Sequence, residues 1–386
     1  MNITVLMSEV YPLPAVRGGA VETLVNHWLD SHEDAPDRVN LAVVSRYSYE
    51  AKNRSRVYTN TVFHWVVPLP FGRFWVRFRR KVFPNAPVYP LYLNFAMRKI
   101  CRTAPDLIII ENRPEFVLAV RLRFPKTRIV LHLHNDTLNE ENKLGTQIVH
   151  ALDQILCVSA FIQKRVLTIV GVTPEKLAVL PNVVNLNQFS FQTRLLSERP
   201  ILAFLGRLSL FKGVTVLAKT FLRLKESLPQ LHLWFAGSSG YRGSREDQTI
   251  RSLKKSLSQY SDSVKFFGFV PQNSLVGLLR QASVLVVPSL WDEPAGLTVL
   301  EGMALGIPTV ASRRGGIPEY LSEKEGWLYD SDSEAQAIDE LEKVLTFVLT
   351  HFENALKKAD LARTTVEQKF SAQDYWSRLL GVLEIG

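Results

Sequence analysis

The chain is 386 residues long, 46% hydrophobic and 22% charged, which is ordinary globular material with length for two domains of about 150 to 200 residues each. Its net charge of +9 sits in the first half, where residues 1–190 hold 23 Lys+Arg against 15 Asp+Glu, while the rest holds 23 against 22. Such asymmetry suits an anionic partner, nucleic acid or an anionic membrane surface, whereas two cysteines, Cys101 and Cys157, exclude a disulfide framework and a cysteine-rich zinc site and fit a reducing cytosol.

In the first half, short apolar runs at 3–7, 40–45, 106–111, 128–134 and 154–159 alternate with helix-like segments, the pattern of βαβ units around a parallel sheet. The opening MNITVLMSEV lacks the basic region and long apolar stretch of a signal peptide. After the first run, Gly18-Gly19 precedes a helical pattern; this is either a plain tight turn or a place where backbone approaches a ligand and a helix start faces an anion. It is not a GxGxxG fingerprint, which weakens a dehydrogenase reading.

FGRFWVRFRRKVF at 71–83 sets Phe71, Phe74, Trp75, Phe78 and Val82 on one helical face, with Arg73, Arg77, Arg80 and Lys81 opposite. That suits an amphipathic helix on an anionic bilayer. The competing readings are an ordinary core-facing helix and a single-stranded nucleic-acid surface; no other nucleic-acid motif supports the last. No apolar run reaches the ~18 residues a spanning helix needs, so membrane contact is expected to be peripheral.

Glu111, Asn112, Arg113 and Glu115 lie at the end of the run at 106–111 and just past it, where they suit either binding of a ligand's hydroxyls or phosphate or a salt-bridge cluster. The run at 128–134 ends in His132 and His134, with His132 expected to point away from His134. HLHND is the nearest approach to a metal-ligand spacing, and metal-independent chemistry with no cofactor is expected.

A polar, proline-bounded stretch at 181–200 marks the boundary between domains at 1–185 and 195–369. Strand candidates resume at 201–206, 231–237, 264–268, 284–289 and 307–312. After the first of these, GRLSLFKGV places Arg207 and Lys212 on one loop, as a diphosphate clamp or as two solvated charges. WDEPAGLTVLEGMALG at 291–306 then reads as a loop carrying Glu293 and a helix carrying Glu301, with Gly306 at its end. The N–H groups of Gly296, Leu297 and Thr298 lie at the positive helix end and suit phosphate oxygens. SAQDYWSRLLGVLEIG closes the chain as a helix with a serine N-cap.

Gly18-Gly19, GRLSLFKG and EPAGLTVLE followed by GMALGIPTVAS together resemble the family 4 retaining glycosyltransferases over nearly the whole chain. The resemblance implies the GT-B fold: two facing Rossmann-like, doubly wound parallel-sheet α/β domains with an interdomain cleft, the last helix at about 370–386 packing back on the first domain. It implies that Arg207 and Lys212 hold the donor diphosphate, Glu293 contacts the transferred sugar, Glu301 bonds the ribose hydroxyls and Gly19 approaches the distal phosphate. His134 matches a histidine beside the transferred sugar. Ala295 stands where phenylalanine is usual, and the linker reads Asn182-Val183 rather than Asn-Gly. The expected partners are a nucleoside-diphosphate sugar, a glycan or glycolipid acceptor and an anionic membrane surface, with no nucleic acid. The expected activity is retaining transfer in cell-surface glycan synthesis, such as lipopolysaccharide or other polysaccharide, by a cytoplasmic protein on the inner membrane face. A nucleotide-sugar epimerase of the same architecture and a non-catalytic partner subunit are the alternatives.

Overall fold

The computed structural model describes residues 1–16, 18–34, 38–67, 91–191, 197–238 and 248–385. The chain divides into two compact units, Met1–Pro181 with Ala372–Gly386, and Asn182–Ser371.

The first unit is a seven-stranded parallel sheet of β1 (Asn2–Leu6), β2 (Asn40–Arg46), β3 (Thr61–Val66), β4 (Leu107–Glu111), β5 (Arg128–Leu133), β6 (Gln154–Cys157) and β7 (Leu177–Val179), in the order β3-β2-β1-β4-β5-β6-β7. The second is a six-stranded parallel sheet of β8 (Ile201–Leu205), β9 (His232–Ala236), β10 (Val264–Gly268), β11 (Val284–Val287), β12 (Thr309–Ser312) and β13 (Trp327–Tyr329), in the order β10-β9-β8-β11-β12-β13. Central strands such as LIIIE at β4 are buried along their whole length, as a sheet covered on both faces requires. Burying each such isoleucine contributes about 2 to 3 kcal/mol.

Three strands escape the sequence pattern: β3, β7 and β13. Each is an outermost strand of its sheet, and β7 and β13 are only three residues long. An edge strand does not need the continuous apolar run that marks a central one.

In each sheet the first strand lies between the second and the fourth: β1 pairs with β2 and β4, and β8 pairs with β9 and β11. The winding direction reverses there, so the loops leaving β1 and β4, and those leaving β8 and β11, part at the carboxyl ends and open a crevice.

Within the first unit the closing helix Tyr375–Val382 buries Tyr375, Trp376 and Leu379. It packs on helix Ala20–Asp34 through Trp28 against Tyr375 (6.0 Å between rings) and His32 against Trp376 (4.7 Å). Its N-cap position is Asp374 and carries no side-chain cap bond, so the expected serine cap is not formed. Ser371 instead makes an isolated parallel bridge with Val184. Among the described residues, no helix is long and apolar enough to cross a membrane.

Candidate functional site

At the β8/β11 switch point the backbone fixes two loops against each other. Leu290 N–H donates to the Phe211 carbonyl at 2.9 Å. Gly213 has φ +70°, and a Cβ there would lie 1.6 Å from the Pro288 carbonyl oxygen, so only glycine permits this approach. The turn delivers Lys212 to Glu293: Nζ donates to Oε1 at 2.7 Å and to Oε2 at 2.8 Å. Ser289 Oγ also donates to Oε1 of Glu293, and the Lys212 ammonium stands 5.3 Å from the Trp291 ring centroid. The Glu293 carbonyl accepts from Gly316 N at 2.7 Å, and a Cβ on Gly315 (φ +54°) would come within 2.3 Å of the same oxygen. Glu293 is thus buried and held from both ends, while Arg207 is exposed on the loop after β8.

Helix Leu297–Ala304 starts at Gly296 with no acidic residue in its first turn. Its first helical bond runs from Leu300 N to the Gly296 carbonyl at 2.9 Å, so the N–H groups of Leu297 and Thr298 are not spent inside the helix. Gly306, φ +64°, follows the C-cap residue Leu305, the left-handed residue that ends many helices. Glu301 lies within this helix, and burial alone pushes its carboxyl up from 4.5 to about 8. Among the described residues nothing bonds to that carboxylate.

At the β1/β4 switch point, Gly19 has φ +111°, and a Cβ there would lie 2.2 Å from Glu22 Oε2. Glu22 is buried in the first turn of helix Ala20–Asp34. Burial raises its carboxyl to about 7, against the opposing pull of its own backbone N–H and the added push of Glu111.

Beside it the structure assembles Glu111, His132 and His134. Strand register sets Glu111 opposite His132. His134 Nε2 lies 2.9 Å from Glu111 Oε2, and His132 Nδ1 lies 3.3 Å from the same oxygen. The two imidazoles are 4.0 Å apart. The expectation that His132 points away from His134 is therefore wrong: residues two apart on a strand share a face. Asn112 closes the arrangement, adopting φ +52°, donating its N–H to the His132 carbonyl at 2.8 Å and accepting from His134 N at 3.0 Å. Burial would raise the Glu111 carboxyl, but the two imidazoles outweigh it and hold it down at about 2. Burial, then the neighbouring His132, lowers His134 to about 4.

Spacing along the chain does not reveal this cluster; strand pairing makes it, and the only signal was a glutamate at the end of one central strand and histidines at the end of the next. Its ligand atoms lie within 4.8 Å of one another, so the three side chains could hold a metal ion, a grouping not anticipated from HLHND alone. Arg113 stands nearby in a two-pronged pair with Glu9 at 3.0 and 3.2 Å, with Glu115 at 3.5 Å. The segment carrying Phe74, Trp75, Arg77, Phe78 and Arg80 lies outside the described residues.

Residues 187–351 match the family model for glycosyl transferases group 1, and residues 35–188 match that for Glycosyltransferase Family 4. YtcC of Bacillus subtilis (strain 168), whose name assigns it to the glycosyltransferases, is 26% identical over 88% of this chain and 83% of its own length. The crystal structure of Anabaena HepE in complex with UDP and glucose superposes with a TM-score of 0.75 at 18% identity, covering 100% of this chain and 99% of that one. Sucrose-phosphate synthase from Thermosynechococcus elongatus matches with a TM-score of 0.75 at 17% identity, over 100% and 98% of the two chains.

Proposed function

We propose that this chain, a glycosyltransferase of the GT-B type with a family 4 domain followed by a group 1 domain, moves a sugar with retention from a UDP-sugar to a glycan or lipid-linked acceptor. The observation that carries the reading is the Lys212–Glu293–Ser289 cluster at the β8/β11 switch point. A lysine ammonium has three donors; two are occupied by Glu293, which aims the ammonium and leaves one for a phosphate. The choice of uridine rests on the fold neighbour HepE, which is described with UDP and glucose.

As the bond from the anomeric carbon breaks, negative charge gathers on the leaving diphosphate. Fixed positive groups aimed at that charge stabilise the transition state more than the ground state. Arg207, Lys212 and the N–H groups of Gly296, Leu297 and Thr298 are the groups we assign to it. Glu293, held by Lys212 and Ser289, accepts from a sugar hydroxyl, and Glu301 bonds the ribose. Gly19 and His134 are assigned to the distal phosphate and the sugar, as the resemblance implies. No metal is required in this scheme because the charge is met by side chains and a helix start. Retention is what the resemblance of the stretch carrying Glu293 and Glu301 to the family 4 enzymes implies.

For the acceptor, Arg113 and the basic aromatic segment at 71–83 support a lipid-linked glycan at an anionic membrane surface, on the cytoplasmic side and without nucleic acid. Liposomes containing anionic lipid should retain the protein, and charge reversal at Arg77 and Arg80 should release it; unchanged retention would remove the membrane assignment. The donor is tested by a thermal-shift panel of UDP-, GDP- and ADP-sugars. A UDP-sugar should raise Tm, and a panel without any shift would refute the reading.

A further inference from the structure

We propose that Glu111 is a positioning residue for the transfer reaction: its buried carboxylate fixes the tautomer and orientation of His134, leaving Nδ1 as a bare acceptor for a substrate hydroxyl. The proposal rests on the donor-sugar reading above and names a residue that the resemblance does not assign.

The geometry is restrictive. Glu111 is wholly buried, and its carboxylate lies 2.9 Å from His134 Nε2. An ionised carboxylate only accepts hydrogen bonds, so the proton of a neutral His134 must sit on Nε2. Nδ1 of His134 must then carry a lone pair. It is buried with no hydrogen-bond partner among the described residues, an unsatisfied acceptor until a donor arrives.

The other side of the carboxylate is closed. His132 Nδ1 approaches it at 3.3 Å, and Trp28 stacks on the His132 ring at 5.4 Å with the planes 21° apart. Of the three side chains, His134 is the one that reaches the surface, at 5% exposure against 0% for Glu111 and His132. A substrate can therefore meet Glu111 only through His134. Other titratable and charged groups face the carboxylate: Glu22 from helix Ala20–Asp34, itself beside Arg113, and Tyr375 from the closing helix. Glu22 titrates near neutral pH, so a rate profile against pH would mix its effect with that of His134. The discriminating readouts are a mutant cycle and the tautomer itself.

Glutamine in place of Glu111 keeps the shape but can donate as well as accept, which releases the lock on Nε2–H. With a UDP-sugar donor and its acceptor, Glu111→Gln should lower kcat about 10²- to 10⁴-fold with little change in donor KM. The double variant Glu111→Gln/His134→Ala should be no slower than His134→Ala alone. Nitrogen-15 histidine spectra of the wild type near pH 7 should show His134 protonated on Nε2, and that signature should change in Glu111→Gln. An unchanged kcat, multiplicative losses in the double variant or a wild-type proton on Nδ1 would each overturn the proposal. So would one equivalent of zinc retained by the purified chain and lost in Glu111→Gln, which would make the three side chains metal ligands. If no nucleotide sugar binds at all, the parent reading fails, and the tautomer spectrum still decides the hydrogen-bond assignment.

Discussion

At the β8/β11 switch point the cations stand at the surface, Arg207 exposed and Lys212 half-buried against Glu293. At the β1/β4 switch point Glu22, Glu111, His132 and His134 are all buried. The helix starts differ in the same sense. Helix Leu297–Ala304 has no acid in its first turn, whereas helix Ala20–Asp34 places Glu22 there, with its carboxyl on its own backbone N–H. One topology thus produces two chemistries. An open helix start beside exposed cations suits an anion; a start already served by a carboxyl, beside an acid–imidazole cluster, suits sugar hydroxyl groups.

Removing the cations should have the largest effect at the β8/β11 end. Arg207→Ala and Lys212→Ala should each cut transfer about 10²- to 10³-fold, because each removes charge aimed at the leaving diphosphate. Lys212→Ala should also weaken binding of free UDP, measured by calorimetry, since it leaves Glu293 an unpaired carboxylate facing a phosphate. Losses under threefold in both variants would detach the β8/β11 end from phosphate chemistry.

Next in size is a backbone test of the same end. Gly213→Ala must place a Cβ against the Pro288 carbonyl in a left-handed conformation, and should lower stability by at least about 2 kcal/mol. Urea denaturation reads the loss. A variant as stable as the wild type would mean that the two loops are not locked together, and Lys212 would then be aimed by its ion pair alone.

The two ends also differ in how far the sequence exposes them. Arg207, Lys212, Glu293 and Glu301 lie in two continuous stretches, each leaving one strand, so the two neighbouring strands β8 and β11 suffice to bring them to one end of the sheet. The β1/β4 end is assembled across strands: Glu111 meets its histidines 21 and 23 residues away through the β4–β5 register. The alternation of a strand is legible from sequence, and properly applied it puts His132 and His134 on one face. Which glutamate of another strand stands opposite them depends on register. The central strands were legible for their unbroken apolar runs, while the edge strands β3, β7 and β13 were not: solvent reaches β3 and β7, and β13, though buried, is only three residues long.

The smallest expected effects are pH dependences, and the two units should show them with opposite sign. In the second unit, Glu301 is raised from 4.5 to about 8. Between those values the folded protein holds the proton and the unfolded chain does not, so this group stabilises below about pH 4.5 and loses its contribution as pH rises through 8. Glu301→Gln keeps a neutral side chain at every pH, so its Tm should gain on the wild type from pH 5 to 8 and then level off. In the first unit, His27 is lowered by burial from 6.5 to about 4, and its Nδ1 has no partner among the described residues. Here the unfolded chain binds the proton first; the contribution is complete above pH 6.5 and is lost as pH falls through 4. His27→Leu should therefore gain on the wild type in acid and level off below pH 4. Scanning calorimetry of both variants from pH 3 to 9 reads the two trends. Parallel trends would mean that burial is not what sets the charge state at one of the two positions.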